Sequence, residues 1–560
     1  MDDYNIAELV NEKCVVFVCS TTGQGEEPDN MKLFWKFLLR KNLQANSLEN
    51  LKCAVLGLGD SSYVKFNFVA KRLNKRIMQL GADIILPLAL GDDQHDLGYD
   101  AVVDGWIESL WTKLMELYPL PNNVQPLGRD TEIIPRWKIN IIDKKAMPNK
   151  NDKKSIYFTE SVKYPANQFW VDVKENTKTT SEMHFQDVRL IKFASQGENY
   201  EPGDVLNVRP QNSKEIIDEL FDVFKINSVN IKPDTMVQIS EVDSDMPVPQ
   251  YLQNEVSFQT LCEEYFDLTS IPRRYLFSVL AQLTSSELEK EKCIEFTTAE
   301  GQTELYNYCN RPKRNITEVL RDFPHAVENI TIDMLFEIFP PIKNRAFSIA
   351  SSFQAHENEI HLLVAVVRYK TKLVKERLGL CSNWLANLKV GNKIPVWLKK
   401  GSFRFPKEED VSIIMVGPGT GVAPFRSFIC ELEKLNRADS RKLVLFFGCR
   451  QKDHDFHCKE DFIRLEKENK LSLICAFSRD QEDKIYVQHK IEEFGDKIWK
   501  LLKDNKAYIY VAGNSKNMPQ SVREAFVTIC AKNIGCNAEE AEKYIALLER
   551  NGRYQTETWA

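Results

Sequence analysis

Residues 411–429 read "VSIIMVGPGTGVAPFRSFI". The apolar, β-branched run "VSIIMV" has the composition of a buried strand, and it stops at Gly417. The turn "GPGTG" then leads into an amphipathic stretch with Pro424 near its start, where the first turn of a helix tolerates proline. Glycines at the carboxyl end of a strand let the backbone approach a pyrophosphate, and a helix N-terminus stabilises that anion. Thr420 is the polar side chain of this turn. A second stretch, "FSRDQEDKIYVQ" (477–488), follows a later apolar run and offers Ser478, Arg479, Lys484, Tyr486 and Gln488. Arginine and lysine together suit an adenosine 2′-phosphate, which would select NADPH over NADH. The plain alternative is a charged surface loop. The runs "VSIIMV", "KLVLFFGC", "LSLICAFS" and "AYIYVAG" alternate with helical patterns, so residues 406–560 are expected to form an α/β domain.

Upstream, the pattern changes. Residues 155–210 are β-rich and end in "YEPGDVLNVRPQN". Residues 211–335 are mostly helical, and strand character returns in "RAFSIASS", "EIHLLVAVV" and "NKIPVWL". A β-barrel over 155–405, split by a helical insertion at 211–335, accounts for this order. In "NRAFSIASS" (344–352), Arg345 can pair with a phosphate, Phe347 can stack on a flat ring and Ser348 has a hydroxyl close by. Alternate residues of a strand share a face, so Arg345 and Phe347 point one way and Ser348 the other. In "GLCSNWL" (379–385), Gly379 and Cys381 permit close approach, and Ser382 is expected to cap a helix beginning at Asn383.

The N-terminal 120 residues repeat a parallel-sheet pattern. "CVVFVC" (14–19), "CAVLGLG" (53–59) and "DIILPLAL" (83–90) are short continuous apolar runs separated by helical stretches. The first stops in "STTGQGEEPDN", which reads as a strand ending in a ligand-binding loop. Residues 119–135 contain four prolines without helical period, and a polar stretch follows, so 121–154 is read as a linker.

Composition narrows the function classes. The chain has 560 residues, 43% hydrophobic and 28% charged, as in an ordinary globular protein of three or four domains. No apolar run reaches the ~18–20 residues of a membrane span, and the N-terminus carries no signal-peptide pattern. Thirteen scattered cysteines without a CxxC pair fit a reducing compartment, and the cytosol is the simplest reading. "CRQKDHDFHC" (449–458) offers Cys449, His454, His457 and Cys458, but the spacing fits no standard zinc motif, so no metal is expected. The net charge is −6, and residues 1–125 hold 17 acidic against 12 basic side chains. Nucleic acid is disfavoured on charge. Glu26, Glu27, Asp29, Asp92, Asp93, Asp96 and Asp100 could form a rim that steers a basic protein partner.

Taken in order, "RAFSIASS", "GLCSNWL", "GPGTGVAPFR", "SRD…KIYVQ" and a penultimate Trp559 resemble the FAD/NADPH half of a diflavin reductase, whose fold is similar to ferredoxin–NADP reductase with a helical insertion. "STTGQGEEPDN" and "LGLGDSSYVKFN" (56–67) resemble the flavodoxin-like FMN half. "QTETWA", "GDDQHDLG" (91–98) and the lack of an anchor most resemble the NADPH-dependent branch that serves cytosolic iron–sulfur protein assembly. The resemblance covers nearly the whole chain. It implies that NADPH reduces FAD, FAD reduces FMN, and FMN passes single electrons to an iron–sulfur protein resembling anamorsin. Carried over, Arg345, Ala346, Phe347 and Ser348 hold FAD, with Ser348 near the flavin N5. Gly379, Leu380, Cys381 and Ser382 bind its pyrophosphate, and Trp559 covers the isoalloxazine where nicotinamide must dock. Thr420, Ser478, Arg479, Lys484, Ile485, Tyr486, Val487 and Gln488 bind NADPH. For FMN, the resemblance implies Ser20, Thr21, Thr22 and Gly23, the loop Leu58, Gly59, Asp60, Ser61, Ser62, Tyr63, Val64, Lys65, Phe66 and Asn67, and Asp93, with Tyr63 stacking.

The chain departs from this pattern in places. Related microsomal reductases place a second aromatic where Thr22 stands and a cysteine where "VAGN" supplies Ala512, and the C-terminal acid here is Glu557. Residues 1–13 hold no Thr/Ser/Gly-rich phosphate loop. The expectation is a flavodoxin-like domain short of about forty residues, a little more than one βαβ unit, with strand 14–19 left as an apolar edge. FMN would then bind weakly or not at all, while FAD and NADPH binding survive. Two further readings stand beside the diflavin one: an FAD-only NADPH dehydrogenase, and a non-catalytic isoform that binds the partner.

Overall fold

The computed structural model describes all residues except 24, 64, 127, 129–130, 143–154, 159–162, 227–230, 409, 505 and 560. Val64 and the 143–154 part of the expected linker therefore lie outside the described residues. The chain divides into two compact units. One is Met1–Arg129 with Asn514–Pro519 and Thr556–Ala560, and the other is Asp130–Gly513 with Gln520–Gln555.

In the first unit, β1 (Cys14–Ser20) pairs in parallel with β2 (Lys52–Gly59), and β2 pairs in parallel with β3 (Asp83–Ile84) and β4 (Ala89–Asp92). The run Cys53 to Leu56 is buried because both faces of β2 are covered. Cys53 and Val55 pack in one core with Val69, Leu73 and Ile77 of α2 (Phe68–Gln79) and with Phe34 and Trp35 of α1 (Lys32–Leu38). Ala54 and Leu56 pack with Trp106 and Leu110 of α3 (Asp100–Leu117). β1 ends the sheet order, as expected for an edge. Phe17 and Cys19 are buried, whereas Val16 and Val18 on its other face are 38% and 48% exposed.

The second unit opens with β5 (Trp137–Ile141), inside the stretch read as linker. Trp137 and Ile139 alternate inward, and the strand has a partner inside the helical insertion. Then come β6 (Phe169–Lys178), β7 (Val188–Ala194) and β8 (Val205–Val208). The insertion adds β9 (Met236–Glu241) and β10 (Val256–Ser257), which complete the sheet β10-β9-β5. Its helices bury an aromatic core around Phe258, Phe266, Phe277 and Phe336. After it follow β11 (Arg345–Ser348), β12 (Glu359–Ala365), the short hairpin of β13 (Arg368–Tyr369) and β14 (Arg377–Leu378), α4 (Leu380–Asn387) and β15 (Lys393–Lys399).

Six of these strands form one antiparallel sheet, β11-β8-β15-β6-β7-β12. The expected barrel is not closed by a ladder. Its two edge strands approach at a single bridge, Ile349 to Leu362. The nucleotide-type sheet has the order β18-β17-β16-β19-β20, from β16 (Ile413–Val416), β17 (Leu443–Cys449), β18 (Ser472–Phe477), β19 (Tyr508–Asn514) and β20 (Tyr554–Trp559). The chain moves outward from β16 to β18 and then returns to the other side of β16, which makes the β16/β19 junction a topological switch point.

Candidate cofactor and electron-transfer sites

At the switch point, the loop after β16 lies against the end of β19. A Cβ on Gly421 would fall 2.2 Å from the Ala512 carbonyl oxygen, so only glycine lets the two backbones meet. Gly419 takes a left-handed φ of +57° in open space. The half-buried Thr420 sits between them, ahead of α5 (Ala423–Lys434). Gly421 thus sets the packing of loop on strand end, and Gly419 leaves open space in which a pyrophosphate could approach the backbone.

The second dinucleotide stretch is held by the loop after β17. The Ser478 amide donates to the Cys449 carbonyl (3.0 Å) and the Arg479 amide to that of Arg450 (2.8 Å). The Lys452 amide donates to Asp480 at 3.0 Å. Ser478 is buried, while Arg479, Lys484 and Tyr486 are exposed, so two cations and an aromatic ring stand beyond the end of β18. Ile485 and Gln488 are half-buried. Val487, expected as a ligand, is instead a core residue. It starts α7 (Val487–Glu493) and is 3% exposed, and its Cγ1 would lie 2.8 Å from a Cβ on Gly448. Here α6 is Lys459–Lys467, which precedes β18.

Two histidines of residues 449–458 are bonded to the β6–β7 hairpin. His454 Nδ1 lies 2.6 Å from Ser181 Oγ, and His457 Nδ1 lies 3.0 Å from Thr179 Oγ1. Asp455 accepts the Arg450 and Gln451 amides at 2.9 and 2.7 Å, which shapes the loop that braces Ser478 and Arg479. Burial pushes the His457 imidazole down to about 4.

On the six-stranded sheet, β11 is an edge with Arg345 and Ala346 exposed and Phe347 and Ser348 half-buried. Phe347 packs one side on the sheet core. Burial raises the Cys381 thiol to about 12, and the Arg345 guanidinium opposes that rise, so Arg345 is within electrostatic reach of the first turn of α4. That helix starts at Leu380, three residues before the expected start, with Gly379 at its N-cap and no side-chain cap. Ser382 is therefore inside the first turn. Its hydroxyl accepts the Val367 amide at 3.0 Å. A Cβ on Gly379 would meet Val367 at 2.8 Å, so glycine sets the close packing of strand end on helix start. Asn383 accepts from Arg368 Nε (2.9 Å) and donates to the Val367 and Gly379 carbonyls. An uncapped helix N-terminus with an exposed arginine in reach fits the pyrophosphate of FAD. Trp559 ends β20 half-buried, its carbonyl accepting the Ser515 amide at 2.8 Å, and it belongs to the first unit.

In the first unit the parallel strands β1, β2 and β4 release three loops at one end. The middle loop is fastened to the third. The Ser61 amide donates to Asp92, Gln94 Nε2 to Asp60, and the Asp93 amide to the Gly59 carbonyl. Asn67 is fully buried with φ +51°, and its Nδ2 donates to the Gly91 carbonyl at 2.9 Å. Its Oδ1 has no partner among the described residues. A Cβ on Gly59 would lie 2.8 Å from this amide, which is why glycine stands there. Several expected ligands also serve the loops themselves. Thr21 Oγ1 accepts the Val69 amide at the start of α2, Thr22 Oγ1 donates to the Glu26 carbonyl, and Ser62 donates to Asp60. Ser20, Gly23 and the Asp93 side chain are exposed, while Leu58, Tyr63, Lys65 and Phe66 are half-buried around the opening. Three loops fastened to one another, with a half-buried tyrosine on the middle one, suit the face of a flavin ring.

Comparison with known proteins agrees with this division. The family models described as Flavodoxin, FAD binding domain and Oxidoreductase NAD-binding domain match residues 1–106, 163–384 and 415–524. The chain is 45% identical over 566 residues to NADPH-dependent diflavin oxidoreductase 1 of Danio rerio, covering 100% of this chain and 93% of the relative. The same-named proteins of Xenopus laevis and Arabidopsis thaliana are 45% and 37% identical over 569 and 594 residues, again over all of this chain and 94% and 93% of theirs. FAD, FMN and NADPH are thus its cofactors, against the expectation that FMN binds weakly or not at all. The chain belongs to the NADPH-dependent diflavin oxidoreductase family.

Proposed function

We propose that this oxidoreductase moves electrons from NADPH through FAD and FMN to an iron–sulfur protein resembling anamorsin, in cytosolic iron–sulfur cluster assembly. When bound, the two flavins supply the conversion of a two-electron hydride donor into single-electron delivery. The residues argued above to hold them are Arg345 to Ser348 with Gly379 to Ser382 for FAD, and the three loops of the first unit for FMN. Thr420, Ser478, Arg479, Lys484 and Tyr486 hold NADPH.

The observation that carries the acceptor reading is the siting of carboxylates. Asp93 and Asp96 are exposed on the third loop at the flavin end of the first unit. A basic protein face would be drawn there, and the attraction is screened by salt. No described helix is long and apolar enough to cross a membrane.

The test is to release and count flavins, then follow NADPH-driven reduction of ferricyanide and of a one-electron iron–sulfur protein. One FMN per FAD is expected, with iron–sulfur reduction slowing as salt rises and ferricyanide reduction unaffected. FAD alone, with ferricyanide turnover but no protein reduction, would establish the FAD-only reading instead.

A further inference from the structure

Three consecutive residues follow β11 after Ile349, and each is bonded to the same helix. The Arg426 guanidinium donates to the Ala350 carbonyl at 2.7 Å. Ser427 Oγ donates to the Ser351 carbonyl at 2.5 Å. Ser352 Oγ donates to the Glu431 carboxylate at 3.2 Å. Ser427 and Glu431 are four residues apart on α5 and so share a face, with Arg426 beside them. Arg426 and Ser427 are 7% and 0% exposed.

Both ends of this clamp are themselves fixed. Arg426 is anchored by Asp461 at 2.8 Å and reaches His361 Nδ1 at 3.3 Å. His361 Nε2 lies 2.7 Å from Glu359. A guanidinium can only donate and a carboxylate can only accept, so a neutral imidazole protonated at Nε2 satisfies both. The Ser351 hydroxyl accepts the His361 amide at 2.9 Å and meets Tyr200 OH at 2.6 Å, while that phenol donates to the Glu359 carbonyl.

α5 begins directly after the Gly417–Gly421 turn, and β11 carries Arg345 to Ser348. The clamp therefore joins, within a few residues on either side, the loop assigned to the dinucleotide and the strand assigned to the flavin. We propose that Arg426, Ser427 and Glu431 are positioning residues that hold the dinucleotide loop in register with the flavin strand, so that nicotinamide and flavin meet at a fixed spacing. All three act through protein groups, the carbonyls of Ala350 and Ser351 and the hydroxyl of Ser352. The proposal rests on the site assignment above. Reaction rate is steep in such spacing, because a misplacement of about 1 Å can cost on the order of a hundredfold.

The experiment is amide hydrogen exchange on the FAD-loaded chain with and without NADP+, in the wild type, Ser427→Ala and Glu431→Gln. In the wild type, NADP+ is expected to slow exchange in both 417–423 and 345–352. In S427A the response at 417–423 stays, and that at 345–352 falls about fivefold, the worth of one net hydrogen bond. Flavin reduction by NADPH slows at least tenfold with KM and FAD content unchanged. E431Q, on the outer turn, shows the same pattern more weakly and covers the case in which S427A is poorly folded. Wild-type protection confined to 417–423 would overturn the clamp and leave the site assignment standing. Protection of neither segment would overturn the site assignment and the clamp with it. Equal protection of both segments in the variants, or a fall in FAD content with a rise in KM, would reduce these residues to structural ones.

Discussion

Arg479 and Lys484 are the side chains whose exposure was readable from composition, since two cations and an acidic run in a loop cannot be buried cheaply. Arg479→Ala is expected to raise KM for NADPH roughly 10- to 100-fold, the worth of a charged hydrogen bond, and to leave KM for NADH unchanged in steady-state assays. Val487 was not readable. It was expected as a ligand with its neighbours Tyr486 and Gln488, but it is the first residue of α7 and packs toward Gly448. His361 gave no sequence signal either. Burial, then the Arg426 charge, drives it down to about 3 from an ordinary 6.5, against the pull of Glu359. The unfolded chain therefore binds a proton between pH 6.5 and 3 that the folded one refuses, so stability is complete above 6.5 and falls as the pH drops. The slope approaches ~1.4 kcal/mol per pH unit. His457, held near 4 by burial, adds a second such slope. His356, also lowered by burial, adds to these slopes, and Glu264, raised by burial to about 7, opposes them, so His361→Gln should make urea midpoints between pH 6.5 and 4.5 fall less steeply with acid, a window above the Glu359 titration at about 2.

Elements were legible where apolar periodicity was continuous. β16, β17, β19 and β2 are buried on both faces and read as unbroken runs. β5 was hidden by flanking prolines and charges, although Trp137 and Ile139 do alternate. The start of α4 was misplaced because its N-cap is Gly379, followed by apolar residues, so the only visible capping side chain was Ser382, which sits in the first turn. The Gly-rich turn divides by the space around each glycine. Gly421→Ala forces a backbone shift against Ala512, costs about 1–3 kcal/mol as overpacking does, and should weaken NADP+ binding while FAD stays bound. Gly419→Ala meets no neighbour within 4 Å and costs only the left-handed backbone term, about 1–2 kcal/mol. A chemical-denaturation and NADP+ titration series across both variants separates the two. Equal losses of NADP+ affinity would contradict this division.

Over the whole molecule, the exposed outer face of β1 bears on association. Val16 and Val18 lie side by side on an edge strand of the first unit. Apolar edges template pairing, and a charge blunts them. Val18→Lys is expected to reduce concentration-dependent association by light scattering while NADPH-ferricyanide turnover is unchanged; an unaltered association profile would remove β1 from consideration. The order of domains, the NADPH-type loops and the diflavin resemblance were written in the sequence, because each is local: a strand, a glycine turn and the residues just after it. The open ends of the six-stranded sheet, the bracing of the β6–β7 hairpin by His454 and His457, and the clamp from α5 to residues 350–352 were not. The brace and the clamp join groups more than seventy residues apart, and closure of the sheet depends on the spacing of its two edge strands. Only packing of the assembled core fixes such contacts, since the sequence carries each partner without carrying their distance.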